Sequence, residues 1–247
     1  MHPGSIPGEA SKLFFAGFRV AGRSMANTSS DETERARRLA MVNGQLRTGD
    51  VVDREVLAAF LDTPRETFVA PAFADLAYID REAPALGAKS RRLLPPLTLA
   101  RMLQAVAVKA GDRALDVGGG SGYGAAILAA MGAKVVLLES DPGAADAARK
   151  LLSSRENATV AHGPLNSGAQ KLGPFDLIVV EGAFRIPPHA LLALLADGGR
   201  LVGVDAIMGA SQAALYERRE GAVSRRALFE TTADTLDGFQ PRESFAF

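Results

Sequence analysis

An apolar run, one acidic residue and a cluster of glycines follow one another over residues 115–123, whose sequence is LDVGGGSGY. The apolar residues are typical of a buried strand, and the alanine-rich residues that follow are typical of a helix. Glycine allows a positive φ and lets the backbone approach a ligand closely. In an open parallel sheet, the loop between a buried strand and the next helix lines the crevice in which cofactors bind. The motif therefore predicts an α/β chain with a Rossmann-like sheet and a cofactor at this loop.

The residues around the glycines distinguish between cofactors. Glycines stand at positions 118, 120 and 122, shortly after Asp116. The dinucleotide-binding pattern requires another glycine where Tyr123 stands. A cationic sulfonium with an amino-acid tail is stabilised by a nearby carboxylate such as Asp116. The motif thus favours S-adenosylmethionine over NAD, although a tight structural turn and a loop-orienting acid are the alternative interpretations.

Two further acids close strands of the predicted sheet. Glu139 ends the second strand about twenty residues after the first glycine, where this topology places the ribose hydroxyls of a nucleotide. Glu181 ends the fourth strand, where it contacts either the methionine ammonium group or a substrate, or pairs with a basic neighbour. For Glu139, the alternative is a solvated strand-end residue. The predicted cofactor site comprises Asp116, Gly118, Gly120, Ser121, Gly122, Tyr123, Glu139 and Glu181.

Composition narrows the possible chemistry. The 247 residues include no cysteine, which excludes disulfides, thiolate metal ligands and cysteine nucleophiles. His2, His162 and His189 lie far apart in the sequence, so we expect no metal site. The formal net charge of zero gives no indication of a nucleic-acid partner. Because no apolar run is long enough to span a membrane, we expect a cytoplasmic protein; its oligomeric state is left open.

The chain divides into three predicted parts. Residues 1–30 are rich in Gly, Ser, Pro and Ala and are expected to be a disordered leader, with Met25 as an alternative start. A short docking element at the apolar residues 13–18 is the other interpretation. Residues 31–110 are predicted to form a helical N-terminal cap and a substrate loop. Residues 111–247 are predicted to form the cofactor-binding core, which ends in an antiparallel hairpin.

Periodicity and turn residues predict the individual elements. Cap helices are expected after Ser30, from Val52 to Asp62 and from Leu99 to Val106. Core strands are expected at 114–117, 135–138, 159–161, 177–180 and 200–204, with hairpin strands at 213–218 and 224–229. Core helices are expected at 123–131, 144–152 and 190–195, the last capped by Gly198-Gly199.

Nearly the whole chain after Arg38 resembles a known family. The N-terminal motifs make the resemblance specific, because the core motifs occur in many unrelated methyltransferases. The chain is similar to the protein-L-isoaspartate O-methyltransferase family. The matching N-terminal segments are Met41-Val42-x-x-Gln45-Leu46, Val51-x-Asp53-x-x-Val56-Leu57, Pro64-Arg65-Glu66-x-Phe68-Val69, Ala77-Tyr78-x-Asp80 and Pro96-x-x-x-Ala100-x-Met102. The matching core segments are Asp116–Tyr123, Pro174-Phe175-Asp176 and Gly198-Gly199-Arg200-Leu201-Val202.

The resemblance implies an S-adenosylmethionine-dependent O-methyltransferase that methylates the carboxyl group of isoaspartyl residues for protein repair. Its partner would then be a protein or peptide substrate. Such a carboxylate is ionised at neutral pH, so no general base is required and the site residues mainly position the reactants. The alternatives are a methyltransferase of the same fold with another acceptor, and an inactive cofactor-binding or scaffold homologue.

The substrate loop departs from the family pattern. The family carries Thr-x-Ser shortly before a proline, and that loop handles the substrate carboxylate. Residues 90–96 here are SRRLLPP, and neither proline as an anchor places hydroxyls at the two positions. Ser90 is the only nearby hydroxyl, while Arg91 or Arg92 can hold a carboxylate by paired donors or can simply be solvated. These three residues are the catalytic candidates.

The loop after the third strand departs as well. The family pattern is Gly-Asp-Gly, with the acid near the adenine, whereas this chain has Gly163-Pro164-Leu165. Proline offers neither a side-chain acceptor nor a backbone donor. We therefore expect a weaker or rearranged adenine contact, at a cost of roughly 1–3 kcal/mol unless Asn166 or backbone groups substitute.

Overall fold

The computed structural model describes Met1 and residues 25–241, and for residues 25–31 it describes the backbone alone. The helices are α1 (Met25–Met41), α2 (Arg54–Asp62), α3 (Pro96–Val106), α4 (Tyr123–Ala130), α5 (Pro142–Leu151) and α6 (His189–Leu192). The strands are β1 (Ala83–Pro84), β2 (Arg92–Leu93), β3 (Arg113–Val117), β4 (Lys134–Glu139), β5 (Ala158–His162), β6 (Phe175–Phe184), β7 (Leu195–Asp205), β8 (Gln212–Arg219) and β9 (Ala222–Glu230). Short helical turns cover Val42–Leu46, Arg47–Gly49, Arg65–Thr67 and Pro71–Leu76.

The first helix starts earlier than its sequence pattern indicates. Helix α1 begins at Met25 rather than after Ser30, so residues 25–30, assigned above to the leader, are helical. The remainder of that leader, residues 2–24 with its apolar run, lies outside the described residues. Helix α2 begins where predicted, because the Asp53 carboxylate caps it by accepting from two backbone amides.

The described strands β3 to β9 form one seven-stranded sheet in the order β5-β4-β3-β6-β7-β8-β9. The first five of these strands are parallel, and the β8–β9 hairpin is antiparallel. The direction in which successive strands are added reverses between β3 and β6. Ligands of open sheets bind at such a switch point. The predicted Rossmann-like sheet with an antiparallel C-terminal hairpin is confirmed.

Alternation along the strands assigns the acids to one face of the sheet. In β3, Ala114 packs in the cluster that joins the cap and α4 to the sheet, whereas Leu115 and Val117 pack in the opposite cluster. Asp116 therefore lies on the cap face. In β6, Val179 is in the cap-side cluster, which places Glu181, two residues later, on the same face. Both acids lie in the C-terminal halves of their strands beneath the cap. The prediction that Glu181 ends its strand is wrong, because β6 continues to Phe184 and pairs there with β7.

The segment before β7 differs from the prediction. Helix α6 covers only a single turn, and Leu195, expected to end it, begins β7. Strand β7 pairs with β6 at Leu195 and again from Arg200, so residues 196–199 form a bulge. Gly198 has a φ of 77°, and a Cβ at Gly199 would lie 2.8 Å from a backbone carbonyl oxygen. The two glycines thus shape a strand bulge. The prediction that they cap a helix is wrong.

The described residues contain neither a candidate membrane span nor a candidate metal site. None of the helices found there combines the length and the hydropathy needed to cross a membrane. In the same part of the chain, no three His, Asp or Glu side chains group closely enough to hold a metal ion.

Candidate cofactor and acceptor site

The glycine loop leaves β3 at the switch point and turns directly into α4. Gly118, Gly120 and Gly122 have φ values of 74°, 60° and 94°. Residues with a Cβ rarely adopt this conformation, which accounts for glycine at all three positions. The amide of Gly118 donates to the carbonyl of Leu138 at 2.9 Å and thereby joins the loop to the end of β4.

The cap covers this loop closely. A Cβ at Gly120 would lie 2.8 Å from the Ala85 Cβ and 3.2 Å from the Arg91 Cγ. The hydroxyl of Ser121, which is fully buried, donates to the carbonyl of Phe68. Ser121, predicted to bind cofactor, therefore has its proton engaged in joining the glycine loop to the cap.

Tyr123 packs beneath the loop, in the interface between cap and core. Its ring centroid lies 5.9 Å from that of Phe60 and 5.6 Å from that of Phe68. The guanidinium carbon of Arg65 lies 4.8 Å from the Tyr123 ring centroid. Arg65 is fully buried and donates to the Leu94 carbonyl at 2.9 Å. Sequence reasoning assigned Tyr123 to the cofactor and did not identify Arg65 as a buried cation, although the Pro-Arg-Glu motif contains it.

Glu139 fixes the glycine loop to the end of β4. The Glu139 side chain is fully buried, and its Oε2 accepts from the amide of Gly120 at 2.9 Å. Its Oε1 accepts from the amides of Ser140 and Asp141 at 2.7 and 2.9 Å. The Nε of Arg91 lies 3.4 Å from the same oxygen. Because one carboxylate oxygen can accept two hydrogen bonds, Oε2 retains capacity for a further donor.

Asp116 and Glu181 form a buried pair of acids, which are 0% and 2% exposed. Both lie against Gly124, where a Cβ would overlap the Glu181 Oε1 and lie 3.4 Å from the Asp116 Oδ2. Within the described part of the chain, none of their four oxygens has a hydrogen-bond donor in place. Burial, reinforced by the charge of Glu181, raises the pKa of Asp116 well above its usual range. Burial likewise raises the pKa of Glu181 to about 7.

The acid pair retains at least one proton at neutral pH. Two adjacent carboxylates that are both ionised, buried and without a paired cation would carry a large desolvation and repulsion cost. Such a pair titrates as a unit and loses its protons in two separate steps. Asp116 and Glu181 can therefore ionise to balance the charge of a cationic ligand at the switch point.

The acid pair also predicts how stability depends on pH. The pKa of Glu181 is about 7 in the folded chain and near 4.5 without burial, so the folded chain binds more protons between these values. Stability contributed by the neutral acid is therefore present at low pH and lost as the pH rises through 7. Between pH 4.5 and 7, we expect the unfolding free energy of Glu181→Gln to fall less steeply with pH than that of the wild type. The two slopes should differ by roughly 1 kcal/mol per pH unit. Urea unfolding at stepped pH measures this, and parallel curves for both proteins would contradict it.

The two arginines of the substrate loop point to different partners. Arg91 Nη2 lies 3.3 Å from the Ser140 Oγ and 3.5 Å from the Asp237 Oδ2. Arg92 Nε donates to the Glu82 Oε2 at 3.0 Å. The Arg91 side chain is 10% exposed and that of Arg92 is 34% exposed. Arg91 is thus held at the end of β4, whereas Arg92 is partly accessible from solvent.

A cavity of about 300 Å³ opens between the substrate loop, the end of β6 and the chain near its C-terminus. The residues that line it are Glu82, Ser90, Arg91, Arg92, Leu94, Glu181 and residues 233–237. The structure therefore brings the three catalytic candidates together with one of the predicted cofactor acids. Glycine-loop residues and Asp116 lie beside this cavity and do not line it.

The wall formed by residues 233–237 was not identified from the sequence. Leu236 is buried against two glycines, because a Cβ would lie 3.1 Å from it at Gly118 and 2.5 Å from it at Gly182. Its amide donates to the Ala183 carbonyl at 2.9 Å. No periodic pattern marks this segment, so only the paired backbone reveals its place beside the site.

The loop after β5, which carries Leu165 and Asn166, packs against the core and against the chain near Gly238. Leu165 is buried in the core. The side-chain amide of Asn166, the expected substitute, donates to the carbonyl of Gly238 at 3.2 Å. One of its two N–H donors is thus engaged within the chain, and the altered adenine contact remains a prediction.

Comparisons with known proteins agree with one another. The family model described as protein-L-isoaspartate(D-aspartate) O-methyltransferase matches residues 36–232. Protein-L-isoaspartate O-methyltransferase of Methylorubrum populi is 39% identical over 168 residues, which are 68% of this chain and 78% of that protein. The Methylorubrum extorquens protein of the same name is 38% identical over 74% of this chain and 80% of its own length.

A solved structure shares the fold. The Plasmodium falciparum protein-L-isoaspartate O-methyltransferase, in complex with S-adenosyl-L-homocysteine, has a TM-score of 0.71 at 22% identity. The superposition covers 81% of this chain and 98% of that one. At this identity, the likeness supports the fold.

Proposed function

Because this chain belongs to the protein-L-isoaspartate O-methyltransferase family, we propose that it binds S-adenosylmethionine and methylates the carboxyl group of isoaspartyl residues in proteins or peptides. The observation that carries the cofactor assignment is the buried acid pair beside the glycine loop. Asp116 and Glu181 have no cation in ion-pair contact within the described residues. A ligand that brings a sulfonium and an ammonium group compensates the one negative charge that this pair carries when it holds a single proton.

Three groups of residues hold the cofactor. The glycine loop offers backbone that a ligand can approach closely, and Glu139 accepts from ribose hydroxyls with the capacity that remains on Oε2. Asp116 stabilises the amino-acid tail. Arg91 Nε lies 3.4 Å from the Glu139 Oε1 and helps to hold that carboxylate beside the glycine loop. When bound, S-adenosylmethionine supplies a methyl group on a cationic sulfur that is already activated as a leaving group.

The acceptor carboxylate enters the cavity beside Arg92. Arg92 has a planar fork of donors, and its present partner Glu82 is an exchangeable, partly exposed carboxylate. Ser90 adds a hydroxyl at the same wall. The acceptor is ionised at neutral pH, so these residues orient it and exclude water without removing a proton. Orientation alone contributes up to roughly 7–11 kcal/mol in favourable cases.

A paired-peptide assay tests this function. One peptide contains isoaspartate and its control contains aspartate in the same sequence, and both are incubated with S-adenosylmethionine labelled in the methyl group. We expect base-labile methyl ester on the isoaspartyl peptide alone. Arg92→Met is expected to raise KM for that peptide about 10- to 100-fold, in keeping with the loss of a charged hydrogen-bonding group. No label on either peptide at high enzyme concentration, with cofactor bound, would rule the function out.

A further inference from the structure

Glu181 lies outside the glycine loop, and the roles proposed for Asp116 and Glu139 in cofactor binding leave Glu181 free for another role. It lies in the C-terminal half of β6, on the cap face, and lines the cavity together with the substrate loop. Its side chain is 2% exposed, and neither carboxyl oxygen has a hydrogen-bond partner among the described residues. A buried carboxyl group at a cavity wall with both oxygens unpartnered is uncommon, because buried polar groups are normally paired.

We propose that Glu181 binds the acceptor: as a neutral carboxylic acid, it donates a hydrogen bond to the acceptor carboxylate, in place of the hydroxyl pair that residues 90–96 lack. The inference rests on the proposed function, since a carboxylate acceptor is the group that a neutral acid recognises. Arg92 and Glu181 then contact the acceptor from different walls of one cavity.

The surroundings of Glu181 favour its neutral form. No cation is in ion-pair contact with Glu181 among the described residues: Arg91 lies against Glu139, and Arg65 donates to the Leu94 carbonyl. Burial raises the pKa of Glu181 to about 7 and outweighs the charge of Arg65, which lowers that pKa. The titratable and charged groups that face it are Asp116 on β3, Glu139 on β4, Tyr123 on α4, Arg65 in the turn after α2, Glu82, Arg91 and Arg92 at the substrate loop, and Asp234 and Asp237 near the C-terminus.

Cofactor binding assigns the shared proton to Glu181. The positive charge that the cofactor brings favours an ionised Asp116, and an ionised Asp116 makes a second ionised carboxylate beside it more costly. With cofactor bound, the proton of the pair therefore resides on Glu181, which presents an O–H group to the cavity.

A neutral Glu181 distinguishes the acceptor from the product. An O–H group bonded to a carboxylate forms a short, strong, charge-assisted hydrogen bond, whereas an ionised Glu181 would repel the same acceptor. The methyl ester product is uncharged and accepts more weakly. Glu181 keeps its proton throughout, so it orients the acceptor and favours product release without acting as an acid or a base.

Two substitutions and one control test the inference. Glu181→Gln keeps a neutral donor of similar size, and Glu181→Ala removes it. The control, Glu156→Gln, removes an exposed carboxylate just before the edge strand β5. The measurements are kcat/KM for the isoaspartyl peptide between pH 6 and 9, and S-adenosyl-L-homocysteine affinity by calorimetry. For the wild type we expect kcat/KM to be level at low pH. Above the pKa of Glu181 in the cofactor-bound enzyme without peptide, we expect kcat/KM to fall about tenfold per pH unit.

Glu181→Gln is expected to keep kcat/KM within about threefold of wild type and to lose the alkaline decline. Glu181→Ala is expected to raise KM for the peptide about 10- to 100-fold, with affinity for S-adenosyl-L-homocysteine unchanged. Glu156→Gln should match the wild type in every measurement.

Three results would overturn the inference. An inactive Glu181→Gln variant, with wild-type activity that rises with pH, would identify a general base and a neutral hydroxyl acceptor. Loss of S-adenosyl-L-homocysteine affinity in both Glu181 variants would assign Glu181 to the cofactor. Equal activity of all four proteins at every pH would leave Glu181 without a role. Failure of the proposed function is separate, because the wild type would then methylate no isoaspartyl peptide although it binds the cofactor.

Discussion

Replacing Glu139 by alanine is expected to weaken S-adenosylmethionine binding about 10- to 100-fold, which corresponds to 1.5–3 kcal/mol for a charged hydrogen-bonding group. The variant loses the acceptor for ribose hydroxyls. It also loses the carboxylate that holds the amides of Gly120, Ser140 and Asp141 at 2.7–2.9 Å. Arg91 then keeps only the exposed Asp237 carboxylate, at 3.5 Å, so its positive charge is less well compensated beside a cationic ligand.

Glu139→Gln separates these effects. It retains one oxygen for the loop amides but has no charge and cannot accept at both positions, so we expect an intermediate affinity. Isothermal calorimetry on wild type and both variants measures the series, with Glu156→Gln as the control for loss of a carboxylate. Wild-type affinity in Glu139→Ala would show that Glu139 only closes β4 and does not contact the cofactor.

Replacing Gly120 by alanine is expected to abolish cofactor binding at micromolar ligand and to lower the melting temperature. Gly120 has a φ of 60°, and its Cβ would lie 2.8 Å from the Ala85 Cβ. A left-handed conformation alone costs an alanine roughly 1–2 kcal/mol. The additional contact requires the cap to move away from the glycine loop, which disturbs both the loop and Arg91.

Gly111 provides the matched control. It has a φ of 88°, and no described atom lies within 4 Å of where its Cβ would be. Gly111→Ala therefore carries the backbone strain without the collision, and we expect it to lose only a few degrees in melting temperature and no cofactor affinity. Scanning calorimetry and ligand titration compare the two variants. Equal losses in both would show that backbone strain, and not the closeness of the cap, limits position 120.

Sequence patterns predicted the fold in most respects because they depend on local physical rules. The apolar strand that contains Asp116, the alternation of strands and helices, and the C-terminal hairpin follow from periodicity and turn chemistry. The bulge at residues 196–199 did not, because register in β7 is set by pairing with β6 and not by the segment itself. Helix α1 also extends before Ser30, where the composition indicated a leader.

The site was predictable where function depends on a strand end and not where it depends on packing between distant segments. Glu139 and Glu181 were both predicted at strand ends. The structure places Glu139 at the end of β4, whereas Glu181 lies inside β6, which continues to Phe184. The buried Arg65 and the wall at residues 233–237 depend on contacts across many residues of sequence, for which no local pattern exists. The different environments of Arg91 and Arg92 likewise follow from which carboxylate each one reaches.

The central claim is that the glycine loop, Asp116 and Glu139 form one S-adenosylmethionine site in this chain. Calorimetric titration of the full-length wild-type protein with S-adenosylmethionine, and separately with S-adenosyl-L-homocysteine, tests it most directly. We expect saturable binding of each ligand with a stoichiometry of one per chain. Absence of binding by either ligand at millimolar concentration, in protein shown to be folded, would contradict the claim.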